Sequence, residues 1–214
     1  PTSVMGATKR LAELYVQWLH ETSGRMTVGS GSASMGGGGG GTRFSMVRFG
    51  NVLGSACSVL TIWSAQLAEG GPITVTDPRM TRFFMTIPEA ATLVIQAAAI
   101  DYGLRDAAAV HVLDMGEPIS ILDLARRFVR AHGFEPRINF DGKTPEPVST
   151  NLPTIDITFS GIRPGEKLFE ELSYGAEHLR PTPHAGIRAW AGDSGSVPSC
   201  AAMIADLSAM RTGA

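Results

Sequence analysis

Short β-rich runs alternating with segments of helical period constrain this chain more than anything else in it. Residues 44–49 are apolar, with β-branched and aromatic members, and the run stops at Gly50-Asn51 as a buried parallel strand does. Ahead of it, Met5, Leu11, Ala12, Leu14, Tyr15, Trp18 and Leu19 recur at helical spacing over residues 4–20, with Thr2 or Ser3 placed to cap the first turn. Behind it, residues 58–68 have a helical pattern with Ser58 as cap. Residues 73–75 alternate like a short strand, and Asp77-Pro78 turns the chain. Pro88 suits the first turn of a helix reaching about residue 99. Residues 110–113 read as a strand, 119–131 as an amphipathic helix stopped by Gly133, and 137–140 as another strand. The proline-rich residues 145–153 read as an extended loop, and residues 166–172 as a helix behind Arg163-Pro164-Gly165. After Tyr174 the pattern weakens to a loop over 192–198 and a short helix over 200–210. This alternation predicts α/β architecture. No internal repeat is visible.

Composition narrows the function classes. With 214 residues, 43% of them hydrophobic and 18% charged, the chain can bury a core of one or two small domains. A net charge of −2 without a basic stripe argues against nucleic acid as a partner. The two cysteines, Cys57 and Cys200, lack CxxC spacing and imply neither a disulfide framework nor a zinc site, which suits a reducing cytoplasm. No apolar run approaches the roughly 18 residues that span a bilayer, so the chain is expected to be soluble. Residues 29–42 are almost wholly Gly, Ser and Ala and read as a flexible insert, because such a composition cannot offset its ordering entropy. The start, Pro1-Thr2-Ser3 directly ahead of a helix, reads like the middle of a domain.

Four motifs occur in one order. They are the stretch from Pro1 to Glu13 with Met5 and Lys9 four residues apart on one helical face; Val47-Arg48-Phe49-Gly50-Asn51-Val52-Leu53-Gly54; Met80-Thr81-Arg82-Phe83; and Gly161-Ile162-Arg163-Pro164-Gly165-Glu166-Lys167. Together they resemble the CapD-like polysaccharide biosynthesis family, the UDP-N-acetylglucosamine 4,6-dehydratases of the extended short-chain dehydrogenase/reductase superfamily. The resemblance covers residues 1–188, interrupted mainly by the glycine-rich insert.

The resemblance implies the C-terminal half of an extended Rossmann-type NAD(P)-binding fold with a small α/β substrate-binding domain. Residues 1–57 would be the end of the Rossmann-type domain, 58–190 a mixed substrate-binding region with returning Rossmann elements, and 191–214 a tail. The family's glycine fingerprint and its proton-transferring Asp and Lys would lie outside this chain, leaving an incomplete NAD or NADP site, an exposed sheet edge and a chain that is poorly stable or associates when alone. By resemblance Lys9 matches the lysine that bonds the nicotinamide ribose, while Met5 stands where a tyrosine is usual. A thioether moves no protons, so Met5 is not a base; methionine at that position is similar to what the long, membrane-anchored members show. Gly50, Asn51 and Val52 would meet the nicotinamide, with Asn51 also near the diphosphate of a UDP-sugar. Arg82 and Arg163 would hold that diphosphate, because guanidinium forks match phosphate oxygens. Glu166 would contact ribose hydroxyls, and Thr81 is a lesser candidate. The loop Ser55-Ala56-Cys57-Ser58 departs from the family's usual sequence.

Each residue also has a bland reading: Met5 as core beside a surface Lys9, Asn51 as the cap of a glycine turn, Arg82 and Arg163 as loop-fixing or surface charges. The run from Gly36 to Gly41 leads into a strand and is no phosphate loop. His20, His111, His132, His178 and His184 lack metal-ligand spacing, and Cys57 has no paired base, so no metal or nucleophile is expected. The expected function is nucleotide-sugar 4,6-dehydration, the alternatives being a nucleotide-sugar 4-epimerase and a non-catalytic sugar-nucleotide-binding remnant. Full-length relatives imply a homo-oligomer with a cytoplasmic catalytic domain, often on an inner-membrane anchor.

Overall fold

The computed structural model describes residues 3–26, 44–56, 58–103, 109–140, 151–173, 177–190 and 200–212. The glycine-rich insert, Cys57, most of the proline-rich loop and the loop at 192–198 lie outside them. In chain order the elements are α1 (Val4–Met26), β1 (Met46–Arg48), β2 (Asn51–Val52), α2 (Val59–Ala68), β3 (Ile73–Val75), β4 (Thr81–Arg82), β5 (Phe84–Met85) and α3 (Ile87–Gly103). There follow β6 (Val110–Leu113), β7 (Ile119–Ser120), α4 (Ile121–Ala131), β8 (Glu135–Ile138), β9 (Thr154–Phe159), β10 (Arg180–Pro181), β11 (Ile187–Trp190) and α5 (Cys200–Thr212). The α/β architecture expected from the sequence is what forms. Two units interleave along the chain: residues 1–48, 93–114 and 173–214 make one, residues 49–92 and 115–172 the other.

The first unit is built on a sheet of order β1-β6-β11-β10, in which β6 runs parallel to β1 and antiparallel to β11. Every residue of β6 is buried, as suits a strand paired on both sides. Ser3 starts α1 by accepting the Gly6 N–H at 3.1 Å, the capping bond its sequence position predicts. From α1, Glu13 reaches the end of β1. Arg48 donates to Glu13 at 2.6 and 2.8 Å and to Glu177 at 2.7 and 3.0 Å, Arg10 adds a bond of 3.0 Å to Glu13, and the Trp190 ring lies 4.5 Å from the Arg10 guanidinium.

This cluster makes the unit acid-sensitive. Burial pushes the Glu13 carboxyl upward, but hydrogen bonds from Arg48 and then Arg10, with their charges, outweigh it and hold its pKa below the ordinary 4.5. A depressed carboxylate contributes stability that is fully present above the unfolded value and lost as pH falls through the folded one. Urea midpoints measured at pH 6 and pH 3.5 should therefore differ, and Glu13→Gln should shrink the difference. An undiminished difference in Glu13→Gln would place the acid sensitivity elsewhere.

The second unit centres on a parallel sheet of order β3-β9-β8, packed by α2 and α4 around Trp63, Ile73, Val75, Ile121, Leu122, Val129, Ile155 and Ile157. Sequence patterning above assigns no strand to residues 154–159, yet these form the central strand, burying Ile155 and Ile157. The strand expected at 137–140 starts earlier, at Glu135, because Pro136 lacks an N–H and is tolerated on the outer strand β8. Ser58 occupies the cap position of α2 but makes no side-chain cap bond; its hydroxyl lies 3.3 Å from that of Thr61 instead. Thr86 and Glu89 form a reciprocal capping box ahead of Pro88 in α3.

The helix expected over residues 166–172 does not form. Gly161 and Gly165, both at φ +82°, turn the chain, and the carbonyls of Lys167 and Leu168 are taken by the Arg82 guanidinium and the Thr81 N–H. Those carbonyls would otherwise accept the amides four residues on. Tertiary hydrogen bonds thus replace a local pattern.

Candidate functional site

A cleft of about 440 Å³ opens in the second unit at the carboxyl end of β3, the edge where open α/β sheets receive ligands. Its walls are formed by β2 and the turn after it, the first residues of α2, residues 74–76, and Met80, Arg82, Phe84, Ile121 and Glu166.

Gly50 makes one wall possible. A Cβ there would sit 2.8 Å from the Phe83 Cβ and 3.0 Å from its carbonyl oxygen, so only glycine lets the chain pass close enough for β2 to pair with β5. Asn51 N–H then donates to the Phe83 carbonyl and Leu53 N–H to that of Met85, each at 2.9 Å. Asn51 and Val52 are thereby set at the cleft, with the Asn51 side chain exposed.

Opposite lies the loop that carries Glu166. Arg82 donates to the carbonyls of Thr81 at 2.7 Å, Leu168 at 3.0 Å and Lys167 at 2.7 Å. Arg82 lines the cleft and its guanidinium fixes the loop, so the loop-fixing reading of Arg82 is a contact present in the structure. Arg163 is not among the lining residues: its side chain is exposed, and its backbone N–H donates to Glu166 Oε2 at 3.3 Å. Thr81 pairs with Ser120 and stands behind Arg82. Asn51, Val52, Arg82 and Glu166 are thus gathered in one cleft, whereas Arg163, Thr81 and Gly50 support its walls.

Lys9 and Met5 belong to the other unit, both exposed on α1, Met5 to 67%. The Met5 carbonyl accepts the Thr8 hydroxyl at 2.8 Å. Two groups of residues escaped sequence reasoning. Ser55, Ser58, Thr74 and Thr76 line the cleft without any motif that marks them. Glu170, in the misread helix, accepts the Phe83 N–H at 3.3 Å and the Asn51 side-chain amide at 3.4 Å.

The arrangement suits a polar, anionic ligand. An arginine and the first residues of a ten-residue helix share one cleft with a glutamate and several serines and threonines. Among the described residues no group of three or more His, Cys, Asp or Glu could hold a metal ion, and no helix is long and apolar enough to cross a membrane.

A family model described as polysaccharide biosynthesis protein matches residues 1–191. The chain belongs to that family. Among the curated members of the polysaccharide biosynthesis group, it is 46% identical to the capsular polysaccharide biosynthesis protein CapD of Staphylococcus aureus over 172 residues, 80% of this chain and 23% of CapD. It is 44% identical to the probable polysaccharide biosynthesis protein EpsC of Bacillus subtilis over 190 residues, 87% of this chain and 26% of EpsC. The chain thus spans about a quarter of the length of these two relatives. At lower identity it matches the UDP-N-acetylglucosamine 4,6-dehydratase (inverting) of Campylobacter jejuni, 31% over 135 residues, covering 60% of this chain and 30% of that enzyme. It also matches a UDP-glucose 4-epimerase of Rickettsia massiliae, 28% over 127 residues, covering 59% and 30%. The X-ray structure of Pen from Bacillus thuringiensis superimposes with a TM-score of 0.64 at 28% identity, over 94% of this chain and 50% of that one. The fold is therefore that of a Rossmann-type α/β fragment, related to nucleotide-sugar dehydratases and epimerases.

Proposed function

We propose that the cleft binds a UDP-sugar and that this chain is the substrate-binding part of an NAD(P)-dependent nucleotide-sugar 4,6-dehydratase acting in polysaccharide biosynthesis. The observation that carries this reading is the meeting of Asn51, Arg82 and Glu166 in one cleft, at the carboxyl end of a parallel strand, in a chain of this family. Arg82 and the α2 N-terminus offer positive potential to a diphosphate, with Arg163 held at the rim by its bond to Glu166. Glu166 offers acceptors to ribose hydroxyls. Gly50 and Val52 shape the backbone wall that a nicotinamide ring would face.

Lys9, an exposed lysine on α1, is the residue that by resemblance would bond the ribose hydroxyls of a nicotinamide cofactor. A bound nicotinamide would supply the reversible hydride transfer that 4,6-dehydration of a hexose requires. Met5, exposed beside Lys9, can neither give nor take a proton, which disfavours the epimerase reading, where a tyrosine at that position normally handles the proton.

Incubation of the complete protein with UDP-N-acetylglucosamine and NAD+ or NADP+ tests the reading. A product lighter by one water, carrying one solvent deuterium at C5 when formed in heavy water, is expected. A C4 epimer of unchanged mass would favour the epimerase, and binding without any turnover would favour a binding module.

A further inference from the structure

The side-chain amide of Asn51 has one end already committed. Its Nδ2 lies 3.4 Å from the Phe83 carbonyl oxygen and 3.4 Å from Glu170 Oε2. Both partners are acceptors, so the NH2 end of the amide, and not its oxygen, must stand there. The same Glu170 oxygen accepts the Phe83 N–H at 3.3 Å and lies 3.3 Å from where a Cβ on Gly50 would be, so it is lodged in the corner where β2 begins and β5 is about to. An amide has two N–H hydrogens, and two acceptors claim them. What remains is Oδ1, an acceptor, on an exposed residue that lines the cleft.

A phosphate diester oxygen offers lone pairs alone and cannot pair with another acceptor. A sugar hydroxyl or an acetamido N–H brings the hydrogen that Oδ1 needs. We infer that Asn51 reads a hydrogen-bond donor on the sugar half of the nucleotide sugar, and that Glu170, outside the cleft lining, is the positioning residue that sets the amide this way round. The inference rests on the nucleotide-sugar reading above and narrows it: Asn51 moves from the neighbourhood of the diphosphate to the sugar, and the diphosphate is left to Arg82 and the start of α2.

Parallel titrations with UDP-N-acetylglucosamine and with UDP separate these contacts. Asn51→Ala and Glu170→Ala should each weaken the sugar nucleotide about fivefold to tenfold, the loss of one net hydrogen bond, while UDP affinity stays unchanged and reports that the cleft is intact. Glu170→Gln keeps an acceptor oxygen and should restore most of the loss. In nitrogen-15 NMR spectra without ligand, the Asn51 side-chain amide signals should move in Glu170→Ala and return towards their original positions in Glu170→Gln. An equal loss for both ligands in Asn51→Ala, or amide signals that stay in place in Glu170→Ala, would overturn the inference. If the amide signals move as expected but the unaltered protein binds neither ligand, the nucleotide-sugar reading falls and the sugar contact with it, whereas the role of Glu170 in orienting Asn51 stands.

Discussion

Arg48→Met should lower the stability of the first unit by about 3 kcal/mol or more, the cost of removing one partner from a largely buried ion cluster. The Arg48 side chain is 14% exposed and that of Glu177 only 6%. Its five N–H donors are the only feature of β1 that can satisfy the Glu13 and Glu177 carboxylates together, through four bonds of 2.6 to 3.0 Å. Methionine fills the volume and supplies no donor, so the four bonds to Glu13 and Glu177 are lost while Arg10 still donates to Glu13. Against a total of about 5–15 kcal/mol for a domain, that loss is large. Acidification, which neutralises carboxylates, should relieve part of it, so the variant and the unaltered protein should respond to falling pH in opposite directions. Urea unfolding followed by tryptophan fluorescence measures both. A loss below about 1 kcal/mol would mean that the cluster behaves as an exposed one does.

Trp63→Ala should cost about 3–5 kcal/mol in the second unit, the range for truncating a buried large aromatic side chain. Trp63 is fully buried, stacks at a tilt on Phe128 of α4 with centroids 5.6 Å apart, and donates its indole N–H to the Thr74 carbonyl at 2.9 Å. One side chain thus ties α2 and α4 to β3. Because Thr74 and its two successors also line the cleft, the same substitution should weaken ligand binding without touching any residue proposed to contact the ligand. Trp63→Phe, which retains most of the volume but not the hydrogen bond, should cost clearly less. Equal losses in the two variants would shift the weight from packing to the indole bond.

Where pattern and packing agree, the fold is legible in the sequence. The positions Leu11, Leu14, Trp18 and Leu19 of α1, the capping position at Ser3, the short runs that become β1, β3 and β6, and the stop at Gly133 express local periodicity that tertiary contacts reinforce, whereas Met5, Ala12 and Tyr15 share the helical period but stay exposed. The misreadings have physical causes. The strand β9 follows a proline-rich stretch that obscures where its alternation begins, and its β-branched Ile155 and Ile157 acquire meaning only between β3 and β8. The helical pattern over 166–172 loses to Arg82, a side chain nearly ninety residues away in sequence that takes the carbonyls a helix would use. At the site, motif order brought Asn51, Arg82 and Glu166 to notice, but spacing alone could not divide lining residues from supporting ones. Glu170 was invisible, because its part depends on Asn51, 119 residues away in the chain.

Calorimetric titration of the protein with UDP-N-acetylglucosamine, repeated in Arg82→Ala, tests the central claim most directly. The cleft described above predicts one saturable binding event in the unaltered protein that is lost in Arg82→Ala, since that change removes both the positive charge and the anchor of the loop carrying Glu166. No binding to the unaltered protein, or binding that Arg82→Ala leaves unchanged, would contradict it.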